Sequence, residues 1–364
     1  MNAFPDRPTT LTAARLPPQG GQPSALTGLG VYRPRRVVEN AEIGQRFGIN
    51  EEWVESRTGI KCRRHADPDE TLVLMGAHAA RGALEQAGLA ASQVDCVLLA
   101  SMSNVRQVPA LAPAVARELG ADNAGACDIQ AACAGFTYGI VHAVGLIASG
   151  AARHVLVIAS ERLSDITDPM NRDTAVLFGD GAGAAVVSAS QEPGFGPVVW
   201  GSDGTGEELF VLTPSLTQLD VLHPRPYIRM RGRALARKFG TLITPVIHEA
   251  LNAAQLTWYD VQAFVPHQAN LRFIRQWTAS LDLPSHVATA TAITDDGNTS
   301  AASIPLAIDH LMSHGAVNPG DLAVLLGYGV GITWAAMVAR LPGDAEHEPL
   351  LAARRNPVQL PGTF

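Results

Sequence analysis

Three residues that could carry chemistry each follow a strand or a turn among small residues: Cys133, His267 and Asn298. Cys133 ends an apolar run and precedes the alanine- and glycine-rich run 134–149, which contains no proline. This pattern predicts a sharp strand-to-helix turn with the cysteine at the start of a buried helix. The positive end of a helix favours thiolate over thiol, and the thiolate is the form that attacks a carbonyl carbon.

Each of these residues also has an ordinary structural interpretation. Free cysteines usually pack in the core, a single histidine is more often a hydrogen-bonded core or surface residue, and a Gly-Asn pair is usually a turn. The three together are harder to explain by structure alone. Nucleophilic catalysis by the cysteine is therefore the favoured interpretation.

Alternating apolar strands and helices must position these side chains. The sequence predicts strands at 25–33, 94–101, 126–131, 154–160 and 184–188, and helices at 40–47, 50–55, 70–88, 110–119 and 229–255. Asn40 and Asn50 are the predicted caps of the first two helices. The alternation indicates an α/β protein with a mainly parallel sheet. The second half also resembles the first weakly, 261–265 matching 94–99 and 324–327 matching 155–159.

The composition argues against several classes of protein. A chain of 364 residues, 47% of them hydrophobic, is ample for one large domain or two halves. The net charge of −7 argues against general nucleic-acid binding, and no apolar run predicts a membrane helix. Four cysteines without CxxC spacing predict neither a metal site nor a disulfide scaffold. We expect a cytoplasmic protein with a disordered leader at 1–24 and a loose tail at 342–364.

The motifs around these residues resemble those of the 3-oxoacyl-[acyl-carrier-protein] synthase III family, also called beta-ketoacyl-ACP synthase III. The resemblance covers about residues 26–341, with six motifs in the family's order: 53–60, 128–138, 178–185, 264–270, 295–305 and 327–334. It implies a thiolase-like, five-layered αβαβα fold made of two duplicated halves with mixed, largely parallel sheets. The half at 25–192 would carry the cysteine, and the half at 193–341 would carry the histidine and the asparagine.

The resemblance also implies a reaction. Acyl-coenzyme A acylates Cys133, and decarboxylative Claisen condensation with malonyl-acyl carrier protein then gives the 3-oxoacyl product that starts fatty-acid synthesis. His267 and Asn298 would donate hydrogen bonds to the malonyl thioester carbonyl, where negative charge grows. The backbone N–H groups of Cys133 and Val330 would form the oxyanion hole. The resemblance further implies a homodimer that uses coenzyme A thioesters as substrates, with no metal or redox cofactor.

Binding roles outside the catalytic residues follow from the same resemblance. The implied coenzyme A and pantetheine contacts are Trp53, Arg57, Arg172, Gly232 and Asn270. The implied acyl pocket contains Val108, Leu163 and Phe178, and the implied docking residues for the carrier protein are Arg237 and Arg272. Without the resemblance, Trp53 and Arg57 could equally well be a packing pair on one helix face. Arg172 could equally well be a solvated loop residue.

Two further stretches have alternative interpretations. The glycines at 179–183 suggest a dinucleotide site, but no G-x-G-x-x-G opens a helix there, so close backbone packing is the preferred interpretation. A basic cluster is either a solvated helix face or a docking surface for an acidic carrier protein or coenzyme A phosphates. Its members are Arg225, Arg229, Arg231, Arg233, Arg237 and Lys238.

The chain departs from the family's usual pattern in ways that bear on its substrates. Val330 interrupts a run of glycines, and Val108 replaces a phenylalanine that closes the acyl pocket across the dimer in some members. The smaller Val108 predicts room for a primer longer than acetyl. Ala236 stands where some members of the family have an aromatic residue. The basic residues that are usual in the family near Ala279 and Ser280 are also absent. These departures leave open an acyltransferase or starter-unit synthase of secondary metabolism that uses another acceptor. A non-catalytic partner subunit is the third alternative.

Overall fold

Two five-stranded sheets form the centre of the protein, as seen in a computed structural model that describes residues 16–17, 20–220 and 225–343. The first sheet contains, in spatial order, β1 (Ser24–Tyr32), β7 (Gly181–Ala189), β6 (His154–Glu161), β4 (Cys96–Ala100) and β5 (Gly125–Ile129). The second contains β12 (Ala288–Thr289), β11 (Ala263–Pro266), β13 (Leu322–Gly329), β14 (Thr333–Arg340) and β8 (Val199–Ser202). Two hairpin-like pairs join β2 (Arg36–Glu39) to β3 (Cys62–His65) and β9 (Phe210–Thr213) to β10 (Tyr227–Met230).

The two sheets repeat one pattern of strand directions. In the first sheet, β5, β4 and β6 are parallel neighbours, whereas β7 and β1 join antiparallel. In the second, β12, β11 and β13 are parallel neighbours, whereas β14 and β8 join antiparallel. This correspondence pairs β4 with β11 and β6 with β13, as the weak internal resemblance predicted. In each sheet, two pairs of neighbouring strands are parallel and two are antiparallel. Parallel pairing is therefore less dominant than the sequence suggested.

Ten α-helices complete the described part of the chain. Four are short or peripheral, namely α1 (Asn40–Gly44), α2 (Glu51–Thr58), α6 (Arg172–Ala175) and α9 (Ile293–Asp296). The other six form three layers: α3 (Leu72–Gln86) and α4 (Ala112–Leu119), then α5 (Gly135–Ala148) and α10 (Ser303–Ser313), then α7 (Gly232–Ala253) and α8 (Leu271–Ser280). The first pair covers the outer face of the first sheet, the second lies between the sheets, and the third covers the second sheet. These are the five layers expected.

The central strands are buried on both faces, which explains their continuous apolar sequences. In β6, Val155 and Val157 face the layer between the sheets, while Leu156 and Ile158 pack under α3 and α4. The central helix α5 approaches the first sheet closely because it carries glycine where it crosses a strand. A Cβ added at Gly139 would lie 2.6 Å from a methyl group of Val157.

Three local expectations were wrong. Asn40 does not cap the first helix, since it is buried and donates its amide N–H to the Ile60 carbonyl, and Glu39 stands at the cap. Part of the predicted leader is ordered: Leu16 packs into the core under α7, and Ser24 already belongs to β1. Arg172 does not lie in a loop, since it begins the short helix α6. Most of the leader and of the predicted tail lies outside the described residues. No helix in the described ranges is long and apolar enough to cross a membrane.

Candidate active site

Cys133 occupies the turn that the sequence predicted. It lies in a single 3-10 turn, Ala132–Ala134, which leads directly into α5. Ala132 has a φ of +45°, which is rare for a residue with a side chain, and Gln130 Oε1 accepts the Ala132 N–H at 3.0 Å. The tight turn directs the cysteine toward a cavity of about 1330 Å³, where its side chain is only 7% exposed.

The ionisation of Cys133 differs from the sequence-based expectation. Burial raises the pKa of its thiol to about 12, and the nearby Ser300 hydroxyl opposes this rise. A change of that size corresponds to roughly 4 kcal/mol. The stabilisation offered by a helix N-terminus is at most about 2 kcal/mol. The cost of desolvating a thiolate therefore exceeds the stabilisation by the helix N-terminus. The resting site holds a thiol rather than the predicted thiolate.

His267 follows β11 and faces the same cavity. Its backbone N–H continues the parallel ladder to the Leu326 carbonyl at 2.7 Å, and its ring lies edge-on to Tyr328 with centroids 5.0 Å apart. Nδ1 lies 2.7 Å from the Ser303 hydroxyl. Burial lowers the pKa of the imidazole to about 3, so the ring is neutral at physiological pH.

Asn298 also lines the cavity, on a loop that the first half of the chain holds in place. The Asn298 N–H donates to the Leu177 carbonyl at 2.9 Å, and its own carbonyl accepts the Gly179 N–H at 3.0 Å. Its side-chain Oδ1 accepts the Ser300 N–H at 2.9 Å, which leaves the amide Nδ2 as the donor available to a substrate. The structure thus brings together Cys133, His267 and Asn298.

Backbone near Val330 approaches the cysteine turn closely. A Cβ added at Gly329 would lie 3.0 Å from the Cys133 nitrogen and 3.1 Å from the Ala131 carbonyl oxygen. Thr333 Oγ1 donates to that same carbonyl at 3.3 Å, which fixes the start of β14 against the turn. Val330 lines the cavity and packs on the apolar core of the second half, so this valine narrows the site.

The mouth of the cavity collects the predicted coenzyme A contacts. Trp53, Arg57, Gly232 and Asn270 all line it. The Arg57 guanidinium lies 4.1 Å from the Trp53 ring centroid, and that of Arg172 lies 5.0 Å from the same ring without lining the cavity. Both distances are in the cation–π range.

Asn270 performs a structural task at the mouth. Its Oδ1 accepts the Arg272 N–H at the start of α8, and its Nδ2 donates to the Arg57 carbonyl at 3.2 Å. It therefore joins α2 to α8 across the cavity entrance.

The predicted acyl-pocket residues occupy two different places. Leu163 and Phe178 are buried together, in a cluster where Phe178 meets the edge of Phe210 at 6.3 Å between ring centroids. Phe178 and Phe210 line the cavity, and Leu163 lies behind them. Val108 is 82% exposed and lies outside the cavity of its own chain. Its predicted role across a dimer stays a prediction.

Two members of the basic cluster form ion pairs with aspartates. Arg229 forms an ion pair with Asp168 at 2.9 Å, and Lys238 pairs with Asp203 at 2.7 Å. The arginines that line the cavity mouth are Arg57, Arg231, Arg233, Arg237, Arg272 and Arg275, beside a single acidic residue, Asp173. Arg237 and Arg272, the predicted docking residues, are both exposed there.

Sequence analysis missed Ser300, Ser303 and Glu161, which surround the three catalytic candidates. Ser300 and Ser303 belong to the Asn298 motif, but their contacts join segments that are distant in sequence. Glu161 follows directly on an apolar strand in a chain with only 17% charged residues, and that position was a usable signal. Tyr328, which packs on His267, carried no comparable signal.

Two duplicated halves that share a central helical layer are the architecture of thiolase-fold enzymes. A cysteine at the start of the central helix, facing a histidine and an asparagine, places the chain among the acyl-transferring condensing enzymes of that fold.

Comparison with known proteins specifies the family. Sequence models of 3-oxoacyl-[acyl-carrier-protein] synthase III and of its C-terminal region match residues 127–204 and 251–341. A beta-ketoacyl-[acyl-carrier-protein] synthase III from Streptomyces lividans is 46% identical over 88% of this chain and 95% of its own length. The solved priming beta-ketosynthase of the R1128 polyketide pathway is 45% identical, with a TM-score of 0.87 over 91% of this chain and 99% of its own. The synthase III of Aquifex aeolicus VF5 is 37% identical, with a TM-score of 0.79 over 87% of this chain and 99% of its own.

The chain therefore belongs to the 3-oxoacyl-[acyl-carrier-protein] synthase III family. It is an acyltransferase of the initiating condensing type, which confirms the fold class, the family and the enzyme class predicted from the sequence.

Proposed function

We propose that this enzyme transfers an acyl group from acyl-coenzyme A to Cys133 and then condenses it with malonyl-acyl carrier protein. The observation that carries the proposal is the shared cavity, with Cys133, His267 and Asn298 inside it and Trp53 at its basic mouth. The cavity volume of about 1330 Å³ fits a pantetheine arm together with an acyl chain.

In the first step, the Cys133 sulfur attacks the thioester carbonyl and the carbon–sulfur bond to coenzyme A breaks. The oxyanion formed meanwhile lies near the backbone N–H groups of Cys133 and Val330, and the leaving thiolate takes up the proton that Cys133 lost. Arginines and Trp53 at the mouth hold the nucleotide end. A base that stacks on Trp53 must displace a guanidinium, because Arg57 and Arg172 both lie within 5.0 Å of its ring centroid.

In the second step, malonyl-acyl carrier protein loses carbon dioxide, and the resulting carbanion attacks the acyl-cysteine carbonyl. The carbon–sulfur bond to Cys133 then breaks, and the released thiolate takes a proton from solvent. The neutral imidazole suits this step. When the Ser303 hydroxyl donates to Nδ1 of His267, the proton resides on Nε2, which then faces the enolate oxygen as a donor. The Asn298 Nδ2 supplies the second donor. Each such donor contributes on the order of 3 kcal/mol to the transition state.

The enzyme we propose works as a homodimer that accepts primers longer than acetyl. Val108 lies on an exposed loop, where a residue of one chain can reach the acyl pocket of another. A small side chain there leaves space at the pocket's end. Exposed Arg237 and Arg272 beside the mouth suit an acidic carrier protein, with no metal or redox cofactor involved.

A second candidate is priming of a secondary-metabolite pathway, with transfer to another acceptor. The 45% identity to a priming ketosynthase of a polyketide pathway favours it. Acyl transfer from Cys133 that continues without any malonyl donor would identify this alternative.

Intact-protein mass spectrometry after incubation with a panel of acyl-coenzyme A esters tests the proposal. We expect a mass gain of one acyl group, largest for a chain longer than acetyl, and no gain for Cys133→Ala. Malonyl-acyl carrier protein should then release carbon dioxide and restore the unmodified mass. Loading by acetyl alone would refute the enlarged pocket, and no loading by any ester would refute acylation by coenzyme A esters.

A further inference from the structure

Glu161, at the end of β6, is a buried carboxylate to which the proposed reaction assigns no task. It is completely buried and accepts hydrogen bonds from the Met102 N–H at 3.1 Å, the Ser103 N–H at 3.1 Å and the Ser103 hydroxyl at 2.5 Å. The Ser101 hydroxyl donates at 3.3 Å. No basic side chain among the described residues forms an ion pair with it, so hydrogen bonds alone support its charge.

Ser300 begins the 3-10 turn Ser300–Ala302, which packs against both the turn that holds Cys133 and the strand β6, whose last residue is Glu161. It is fully buried, with a φ of +50°, and its hydroxyl makes no hydrogen bond of standard geometry with any described residue. The hydroxyl is nonetheless close enough to lower the pKa of both the Cys133 thiol and the Glu161 carboxyl. Burying an unsatisfied hydroxyl costs about 1–3 kcal/mol, so a strained serine retained here calls for a functional explanation.

Two groups compete as acceptor of the thiol proton. Burial lowers the pKa of His267 to about 3, and it raises the pKa of Glu161 to about 6. The carboxylate is therefore the stronger base of the two, because burial shifts the two pKa values in opposite directions. It is mostly ionised at neutral pH, whereas protonating the imidazole would place an uncompensated cation in an apolar site.

We propose that the Ser300 hydroxyl relays the Cys133 proton to Glu161 during acylation. As sulfur bonds to the thioester carbon, the thiol proton passes to Ser300 Oγ and the Ser300 proton passes to a Glu161 carboxylate oxygen. When the carbon–sulfur bond to coenzyme A breaks, its thiolate takes the proton back along the same path. In this relay Ser300 acts directly on the reacting sulfur, and Glu161 is a positioning residue that acts through Ser300. The inference rests on the proposed acylation of Cys133.

Single-turnover acylation by the best-loading acyl-coenzyme A, followed by mass spectrometry between about pH 5 and 8, tests the relay. The wild-type rate should fall as pH drops through about 6, because protonated Glu161 accepts no proton. Glu161→Gln and Ser300→Ala should acylate about a hundredfold more slowly at neutral pH, and Glu161→Gln should lose the inflection near pH 6.

Asp180→Asn is the matched control, since Asp180 is also a buried carboxylate whose pKa burial raises to about 6. It binds Ser164 and the Ala66 N–H instead of the cysteine turn, and its substitution should leave the shape of the pH profile unchanged. Asp180→Asn acylated beforehand should also condense at a rate within about twofold of wild type, because condensation uses His267 and Asn298.

Two results would overturn the relay. Acylation by Glu161→Gln at the wild-type rate or faster would mean that Glu161 acts only through its charge, which raises the pKa of Cys133. Alkylation of Cys133 by iodoacetamide decides the question independently of the acyl donor, since the relay predicts slower alkylation in both variants. If no ester loads the wild type, the proposed function fails while the alkylation result still judges the relay. Ser300→Ala carries the test if Glu161→Gln does not fold.

Discussion

At the scale of single residues, burial decides the state of each catalytic candidate. The pKa of Cys133 rises and that of His267 falls, both chiefly through desolvation, so neither group is charged in the resting site. Asn298 has no titratable group, and Ser300 fixes its side-chain oxygen. The result is a site with two neutral hydrogen-bond donors, which stabilises a developing negative charge without a permanent ion pair.

Substituting the two donors should therefore separate the half-reactions. In His267→Ala and Asn298→Ala, acylation of Cys133 should persist within about threefold, while carbon dioxide release from malonyl-acyl carrier protein falls by about 10²–10³. The measurement is carbon dioxide release by enzyme acylated beforehand, beside mass-spectrometric loading. Loss of acylation to the same degree in His267→Ala would instead make the imidazole the base for the thiol.

At the scale of elements, the site depends on β13 lying directly against the turn before α5. Gly329 permits this contact, because a Cβ there would lie 3.0 Å from the Cys133 nitrogen and 3.1 Å from the Ala134 nitrogen. Both atoms belong to backbone that starts a packed central helix, so they yield little to a methyl group. The positions of the N–H donors in the oxyanion hole that we propose therefore depend on this close contact between the strand and the start of the helix.

Gly329→Ala should move Val330 away from the cysteine turn. We expect acylation to slow by at least about tenfold, with a loss of stability of about 1–3 kcal/mol from overpacking. Gly145→Ala, on an α5 position where an added Cβ meets nothing within 4 Å, is the control and should be neutral or stabilising. Acylation rates and denaturant unfolding measure the two effects. A Gly329→Ala enzyme with normal acylation would remove Val330 from the oxyanion hole.

At the scale of the whole molecule, charge is distributed unevenly. The chain carries a net charge of −7, yet arginines predominate around the cavity mouth. Such a local concentration of positive charge raises the rate at which an acidic partner associates, and dissolved salt screens this attraction. Arg229 and Lys238 are already paired with aspartates, so the docking role falls to the arginines that line the entrance.

Reversing this local charge should weaken use of the carrier protein selectively. Arg237→Glu and Arg272→Glu should raise the KM for malonyl-acyl carrier protein about tenfold or more and flatten its dependence on salt. The rate of Cys133 loading at saturating acyl-coenzyme A should change little. Arg117→Glu, an exposed position on α4 in the opposite outer layer, is the control. Equal effects in all three variants would point to net charge rather than a docking surface.

The sequence by itself determined what depends on local pattern. The run into Cys133 and the small residues after it predicted the turn and the helix, and Asn50 caps α2 by accepting the Trp53 N–H at 2.9 Å, as expected. The weak repeat of the strand pattern agreed with the duplicated halves that the family resemblance implied. The order of the motifs identified the family, because those motifs are the segments that form the backbone of the site.

Only the tertiary structure decided how the site is charged and which groups support it. Ser300 is distant in sequence from both Cys133 and Glu161, so no spacing rule links them, and folding alone brings them together. Asn40 shows the same limit at a helix end, where a contact to the Ile60 carbonyl overrides its capping preference. The thiol remains protonated for a similar reason: desolvation comes from every neighbour that packs around it, while a helix terminus is a local feature readable along the chain.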